Sequence, residues 1–270
     1  MDTPYVDERC QRQIRAPVLF YDRSVIRHVL DDSGALSHRA RAFLDEHCRR
    51  LPISLVDPGR WYVCTGVDGD VVPGPAGGLE CLTSFVNQFG GMMFCPERPG
   101  CYGAHQDRYE FDNFVSSGWD ELEDGDHVAI VGSKEGYPLT LSWSTGRIGV
   151  VEPDFWIADS AVNLIESCAL GQSVYADEDW TEAVELGGKG TGWGLTAVGS
   201  DAFRGAVGEV VEASSEWSRW YLDEHVAVHG WRVTYEQERS EVVTAWYHDA
   251  EGRQRIEAVA GPLRPANRTR

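Results

Sequence analysis

The stretch HVAIVGSKEGYPLTLSWSTGRIGVVEP, from His127 to Pro153, constrains the fold more than any other part of the chain. Three short apolar runs, HVAIVG, PLTLSW and RIGVVEP, are separated by SKEGY and STG. Short runs rich in Val, Ile and Leu, joined by Gly-containing connectors, read as three strands of an antiparallel meander. Gly132, Ser133 and Lys134 raise a second reading, a phosphate loop. A P-loop needs G-x-x-x-x-G-K-[ST] followed by a helix whose N-terminus faces the phosphates. Here Pro138 and the alternating Leu139, Leu141 and Trp143 announce a strand, and Glu135 would repel phosphate. In a second glycine cluster, GGKGTGWG at 187–194, Gly190 separates Lys189 from Thr191, and no strongly apolar strand feeds it. Both clusters read as turns.

Around this meander the periodicity changes. SVIRHVLDD and SHRARAFLDEHCRR place apolar groups three and four apart, with Ser24 and Ser37 as N-caps, and predict helices. LECLTSFVNQFGG predicts another, with Leu79, Leu82, Phe85, Val86 and Phe89 on one face and Gly90-Gly91 as its stop. Trp61 to Thr65, MMFCP and CYGAHQDRYEFDNF read as strands, WDELEDGD as an acidic turn. Ser160 caps a helix carrying Ala161, Leu164, Ile165 and Cys168.

After Gly171 the texture becomes acidic and glycine-rich, which suggests a lobe boundary. DAFRGAVGEVVEASSEWSRWYLDEH is a helical candidate. GWRVTYEQE and EVVTAWYHDAEGRQRIEAV suggest strands, the last two joined by a hairpin at DAEGR. An internal echo, AFLDEHC at 42–48 and WYLDEHV at 220–226, is too short to imply duplication. The expectation is an α+β fold: a mostly antiparallel sheet flanked by helices over 1–170, with an α+β extension or small lobe over 171–270.

Charge narrows the partners. The 270 residues carry a net charge of −19, from 43 acids and 24 Lys or Arg. Residues 51–252 alone hold 34 acids against ten bases, about −24. Such a field repels nucleic acid and attracts a basic partner. No apolar run approaches the ~18 residues of a membrane span, and the N-terminus lacks a basic start followed by an apolar segment, so a cytoplasmic protein is expected. Seven Cys without a CxxC pair suit reduced thiols rather than a zinc site or disulfide framework. Two Lys against 22 Arg suggest a bacterial genome rich in G and C.

Few patterns carry catalytic chemistry. His105-x-Asp107 with the distant His229 has the residue types of the facial triad of non-haem Fe(II) oxygenases. Such a site would use 2-oxoglutarate, but Arg232 follows His229 too closely for the usual cosubstrate arginine, and a meander between helices is not a jelly-roll order. There is no G-x-S-x-G elbow and no papain-like Cys context. No catalytic residue and no cofactor is therefore assigned.

Binding has a stronger case. Asp120, Glu121, Glu123, Asp124 and Asp126 crowd into seven residues. Asp177, Glu178 and Asp179 lie beside Trp180. Acids around aromatic anchors, with Trp143 and Trp156 as further anchors, suit an interface with a basic protein.

The segment 79–170 resembles the SUKH superfamily, which includes yeast cell-wall regulators and many bacterial immunity proteins. A helix ending at FVNQFGG is followed by a strand, the aromatic DRYEF, the meander, and a helix opening with Ser160. Gly132, Gly146, Trp156, Ser160 and Ile165 hold the family's recurring places, the two glycines as turn residues. The resemblance implies a non-enzymatic binding module. Its expected role is an immunity-type protein that covers a basic toxin or effector, or else a regulatory scaffold like the fungal relatives.

Overall fold

The structure, a computed structural model, describes residues 27–32, 34–51, 63–65, 71–74, 77–96, 108–111, 119–150, 155–184, 186, 195, 197–235 and 238–264. Two antiparallel sheets share one central helix, β2 (Val63–Thr65) and β3 (Val71–Pro73) form a third, two-stranded sheet, and the class is α+β as expected.

The meander forms the centre of the first sheet. Strands β7 (His127–Lys134), β8 (Tyr137–Ser142), β9 (Ile148–Val150) and β10 (Trp156–Ala158) pair in sequence, all antiparallel. On the other side the order runs through β5 (Tyr109–Phe111) and β4 (Met92–Phe94) to β1 (Cys48–Arg50). The β7–β8 loop is only Glu135-Gly136, with φ of 52° and 86°. Positive φ at both central residues matches a type I′ turn, whose twist suits adjoining strands. Lys134 thus ends a strand, paired with Tyr137, and does not cradle a phosphate.

Gly132 corrects an expectation. It is not a turn residue but lies within β7, beside a register shift between Ile130 and Gly132. There β7 exchanges partners along one edge: β6 (Trp119–Glu121) pairs with His127–Ala129, β5 with Ser133 and Lys134. A Cβ on Gly132 would stand 1.9 Å from the Glu110 carbonyl oxygen, so glycine permits the close approach. Gly146, with φ of 75°, is the turn residue it was expected to be. WDELEDGD also differs, because its first three residues are β6 rather than turn.

Helices cover one face of this sheet. Helix α1 (His38–His47) is capped by Ser37, whose Oγ accepts from Ala40 N–H. Helix α2 (Gly78–Phe89) buries Leu82, Phe85 and Phe89, and Gly91 supplies the positive φ that ends the segment. Phe85 meets Phe111 edge-on at 5.3 Å, and Phe94 stacks on Tyr109 at 5.2 Å. Each buried Phe contributes about 1.5–3 kcal/mol. The helix expected over SVIRHVLDD does not extend to its described part, where Val29–Asp31 form a turn; Ser24 lies outside the described residues.

Helix α3 (Ala161–Ala176) is capped by Ser160 as expected, and it crosses the anticipated boundary at 170/171. It is apolar nearly all round because it feeds two cores. Leu164, Ile165 and Ala169 join the core of the first sheet, whereas Leu170 and Val174 pack with Trp220 and Trp246. Polar contacts stitch both sides. The buried Glu166 carboxylate accepts from Ser37 N–H at 2.6 Å and Ser37 Oγ at 2.7 Å. Asn163 Nδ2 donates to the carbonyls of Glu212 and Ser214.

The second sheet runs β11 (Thr181–Glu182), β14 (Glu238–Tyr247), β13 (Val226–Tyr235), β12 (Ser218–Leu222). Alternation divides its faces. Val226, Val228, Val243 and Ala245 pack with Ile256 of α5 (Ala250–Ala260), while Ala227, Trp220 and Trp246 face α3.

Two further expectations are overturned here. DAEGR is not a hairpin: Asp249 caps α5 by accepting from Gly252 N–H, and the hairpin joins β13 to β14. The helix expected over 201–225 shrinks to α4 (Asp201–Arg204), a 3₁₀ turn at Val211–Ala213 and strand β12. Gly205, Gly208 and the β-branched Val207, Val210 and Val211 weaken helix there.

Candidate functional site

The acidic loop between β6 and β7 is held from within. Leu122 N–H donates to the Asp126 carbonyl, Gly125 N–H donates to Leu122, and Gly125 takes a φ of 83°. Asp126 is the keystone. Its carboxylate accepts from Ser142 Oγ at 2.5 Å, from His127 N–H at 2.8 Å and from Ser144 N–H at 3.2 Å. Partial burial raises the Asp126 pKa, but these donors outweigh it and hold the carboxyl below its usual range. Asp126 therefore ties the β6–β7 loop to the β8–β9 turn. Asp120, Glu121, Glu123 and Asp124 remain exposed around it.

Aromatic rings support the same loop. The His127 imidazole stacks on Trp143 at 5.7 Å and lies 5.3 Å from Trp119. Trp143 in turn lies over Gly78 at the start of α2, where a Cβ would come within 2.3 Å of its ring. The absent side chain lets the indole cover the helix N-terminus. A groove of about 490 Å³ opens beside it, lined by Asp124, Asp126, His127, Trp143, Arg147 and Trp156 among others. Arg147 is the one Lys or Arg among its described lining residues, and it pairs with Glu216 at 3.4 Å.

The structure thus brings Asp124, Asp126, Trp143 and Trp156 to one groove, with Asp120 and Glu121 on the adjoining strand β6 and Glu123 on the loop after it. It does not bring Asp177, Glu178, Asp179 and Trp180 there. Those residues follow α3, where Asp177 accepts from Asp179 N–H and Trp180 packs edge-on against His248 at 5.4 Å. Sequence reading missed Gly78, His127 and Arg147 as groove residues. Gly78 carries no chemical signal of its own; only the ring that covers it reveals its role.

Of the facial-triad candidates, His105 and Asp107 lie outside the described residues. His229 is buried in β13, with Nε2 2.8 Å from Ser218 Oγ and its ring stacked on Trp220 at 4.0 Å. Among the described residues, no group of three or more His, Cys, Asp or Glu side chains could hold a metal ion. Cys48, Cys81, Cys95 and Cys168 are unbridged thiols, and burial pushes the Cys48 pKa up to about 11. No described helix is long and apolar enough to cross a membrane.

No family profile, no curated protein and no solved structure matches this chain.

Proposed function

We propose that this chain is a cytoplasmic, non-enzymatic binding protein of the immunity type, which sequesters a basic toxin or effector through the Asp120–Asp126 loop and the Trp143 groove. One observation carries the reading: four exposed carboxylates, Asp120 and Glu121 at the end of β6 and Glu123 and Asp124 on the loop after it, stand beside a loop that Asp126 fixes to the neighbouring turn. A fixed array of like charge costs a partner little ordering, and it steers a cationic surface toward the aromatic groove beside it. The SUKH-like order of elements over 79–170 supports the same reading. The exposed Asp177–Asp179 loop contributes to the long-range field from outside the groove.

The test is binding to the product of the adjacent gene, with and without charge on the loop. The quadruple variant Asp120→Asn, Glu121→Gln, Glu123→Gln, Asp124→Asn keeps the side-chain acceptors but removes four charges. Association should slow at least about tenfold at low salt, with the melting temperature nearly unchanged. Equal association rates for the variant and the natural chain overturn the reading. So does an absence of any protein partner combined with tight retention of iron by the purified protein. Protection of cells that express the partner separates immunity from a scaffold role.

A further inference from the structure

A second cavity lies between the two sheets, alongside α3, with a volume of about 240 Å³. Its walls carry seven Trp, Tyr or Phe side chains, four of them indoles: Trp156, Trp217, Trp220 and Trp231. Among its described lining residues there is no carboxylate, although the chain holds 43 acids. The lining instead carries Lys134 and Arg232, and Lys134 is one of only two lysines in the chain. The charge is inverted relative to the rest of the protein, and composition does not produce that inversion.

Pairwise contacts link several of the residues that line the cavity. Trp220 Nε1 donates to Ser167 Oγ at 2.9 Å, and the Trp220 ring stacks within 5° of parallel on His229, which meets Ser218. The indole N–H of Trp217 is buried and has no hydrogen-bond acceptor. A buried donor left without a partner is destabilising, and an acceptor on a ligand would relieve that cost. Lys134 Nζ lies 5.5 Å over the Tyr109 ring, and Arg232 lies 3.8 Å from Glu216.

From these features we infer that the cavity is a binding site for a small planar aromatic carboxylate. Flat rings slot between indoles. The carboxylate meets Lys134 and Arg232, and the Trp217 N–H supplies a further donor. The volume suits one or two fused rings rather than a larger molecule. Trp156 is the single described residue that lines both this cavity and the acidic groove, and Glu216 pairs with the arginine of each, Arg232 here and Arg147 there.

Calorimetric titration of the full chain with 2-naphthoate tests the inference, with neutral 2-naphthylmethanol and cationic 2-naphthylmethylammonium as controls. Naphthoate should bind saturably with one site and at least about tenfold more tightly than either control. Arg232→Gln should weaken naphthoate about tenfold without weakening naphthylmethanol, and Trp217→Phe should weaken naphthoate with the melting temperature retained. The inference is overturned if naphthoate fails to bind at millimolar concentration, or binds no better than the controls. Naphthoate affinity left intact by both Arg232→Gln and Lys134→Gln also overturns it.

Discussion

Two Trp–His–Trp clusters stand in this molecule, one in each sheet, and they differ in almost everything but composition. In the first, Trp119, His127 and Trp143 lie half-buried at a groove edge, with centroid separations of 5.3 to 6.1 Å. In the second, His229 is buried and pressed flat on Trp220 at 4.0 Å, with Trp231 at 5.0 Å. Asp124 and Asp126 line the groove beside the first, Lys134 and Arg232 the cavity beside the second. The same three residue types therefore stand in surroundings of opposite charge. Their neighbours decide which: Asp126 and the loop it fixes on one side, Lys134 and Arg232 on the other.

The sharpest way to break this comparison is to attack α3, which joins the cores behind both clusters. Glu166→Ala removes the carboxylate that accepts two hydrogen bonds from Ser37 and lies 3.6 Å from Arg39. Loss of one partner from a buried charged network should cost about 3 kcal/mol in urea unfolding. Both clusters should unfold in one transition at the lower midpoint. Two separated transitions in Trp fluorescence would show that the halves are not coupled through α3. Gly78→Ala acts on one side alone. Its Cβ meets the Trp143 ring at 2.3 Å, so the indole must leave. We expect a loss of about 1–3 kcal/mol and weakened partner binding, with naphthoate titration unchanged. Gly171→Ala is the counterpart in the cavity wall and should do far less. The new Cβ lies 3.1 Å from Tyr175 and 3.4 Å from Trp220, so rings must give slightly. Helix propensity favours alanine by about 1 kcal/mol, and the two effects should nearly cancel in the measured midpoint.

What the sequence disclosed follows from how local each interaction is. The meander, the caps at Ser37 and Ser160 and the buried face of α2 are written in neighbouring residues, and they are legible. The tetrapeptide Leu-Asp-Glu-His shows the limit. At 44–47 it ends α1, whereas at 222–225 it leaves strand β12 and turns, with Asp223 accepting from the His225 and Val226 N–H groups. The identical residues take two structures because β12 pairs with β13 at Leu222 and Ala227. Gly252 misled in the same way. It read as a hairpin glycine, yet it sits in α5 where a Cβ would lie 2.1 Å from the His225 carbonyl oxygen. The groove acids were legible as a charge run. The cavity was not, because its rings come from residues 109 to 231 and only the packing of two sheets on α3 assembles them.

The smallest expected effect comes from two histidines outside both clusters, whose shifts oppose one another. Burial lowers the His28 pKa, outweighing the hydrogen bond to the Gly90 carbonyl. That bond, at 3.1 Å, requires a proton on Nε2, while Nδ1 accepts from Leu30 N–H at 3.2 Å. His28 is therefore neutral in the fold. Because its folded pKa lies below 6.5, its contribution is complete above pH 6.5 and is lost as pH falls through the folded value. His225 behaves in reverse. Its hydrogen bond to Asp249, at 2.8 Å, raises its pKa, so its contribution is complete below 6.5 and is lost as pH rises through the folded value. Stability should consequently vary only shallowly through neutral pH. Asp249→Asn keeps an acceptor for Gly252 N–H but removes the charge, and it should flatten the alkaline limb alone. His28→Gln should flatten the acidic limb alone. Titration of the histidine ring protons should place His28 below and His225 above the ordinary value. The opposite order would reverse both limbs and refute the assignment of the neutral His28 tautomer.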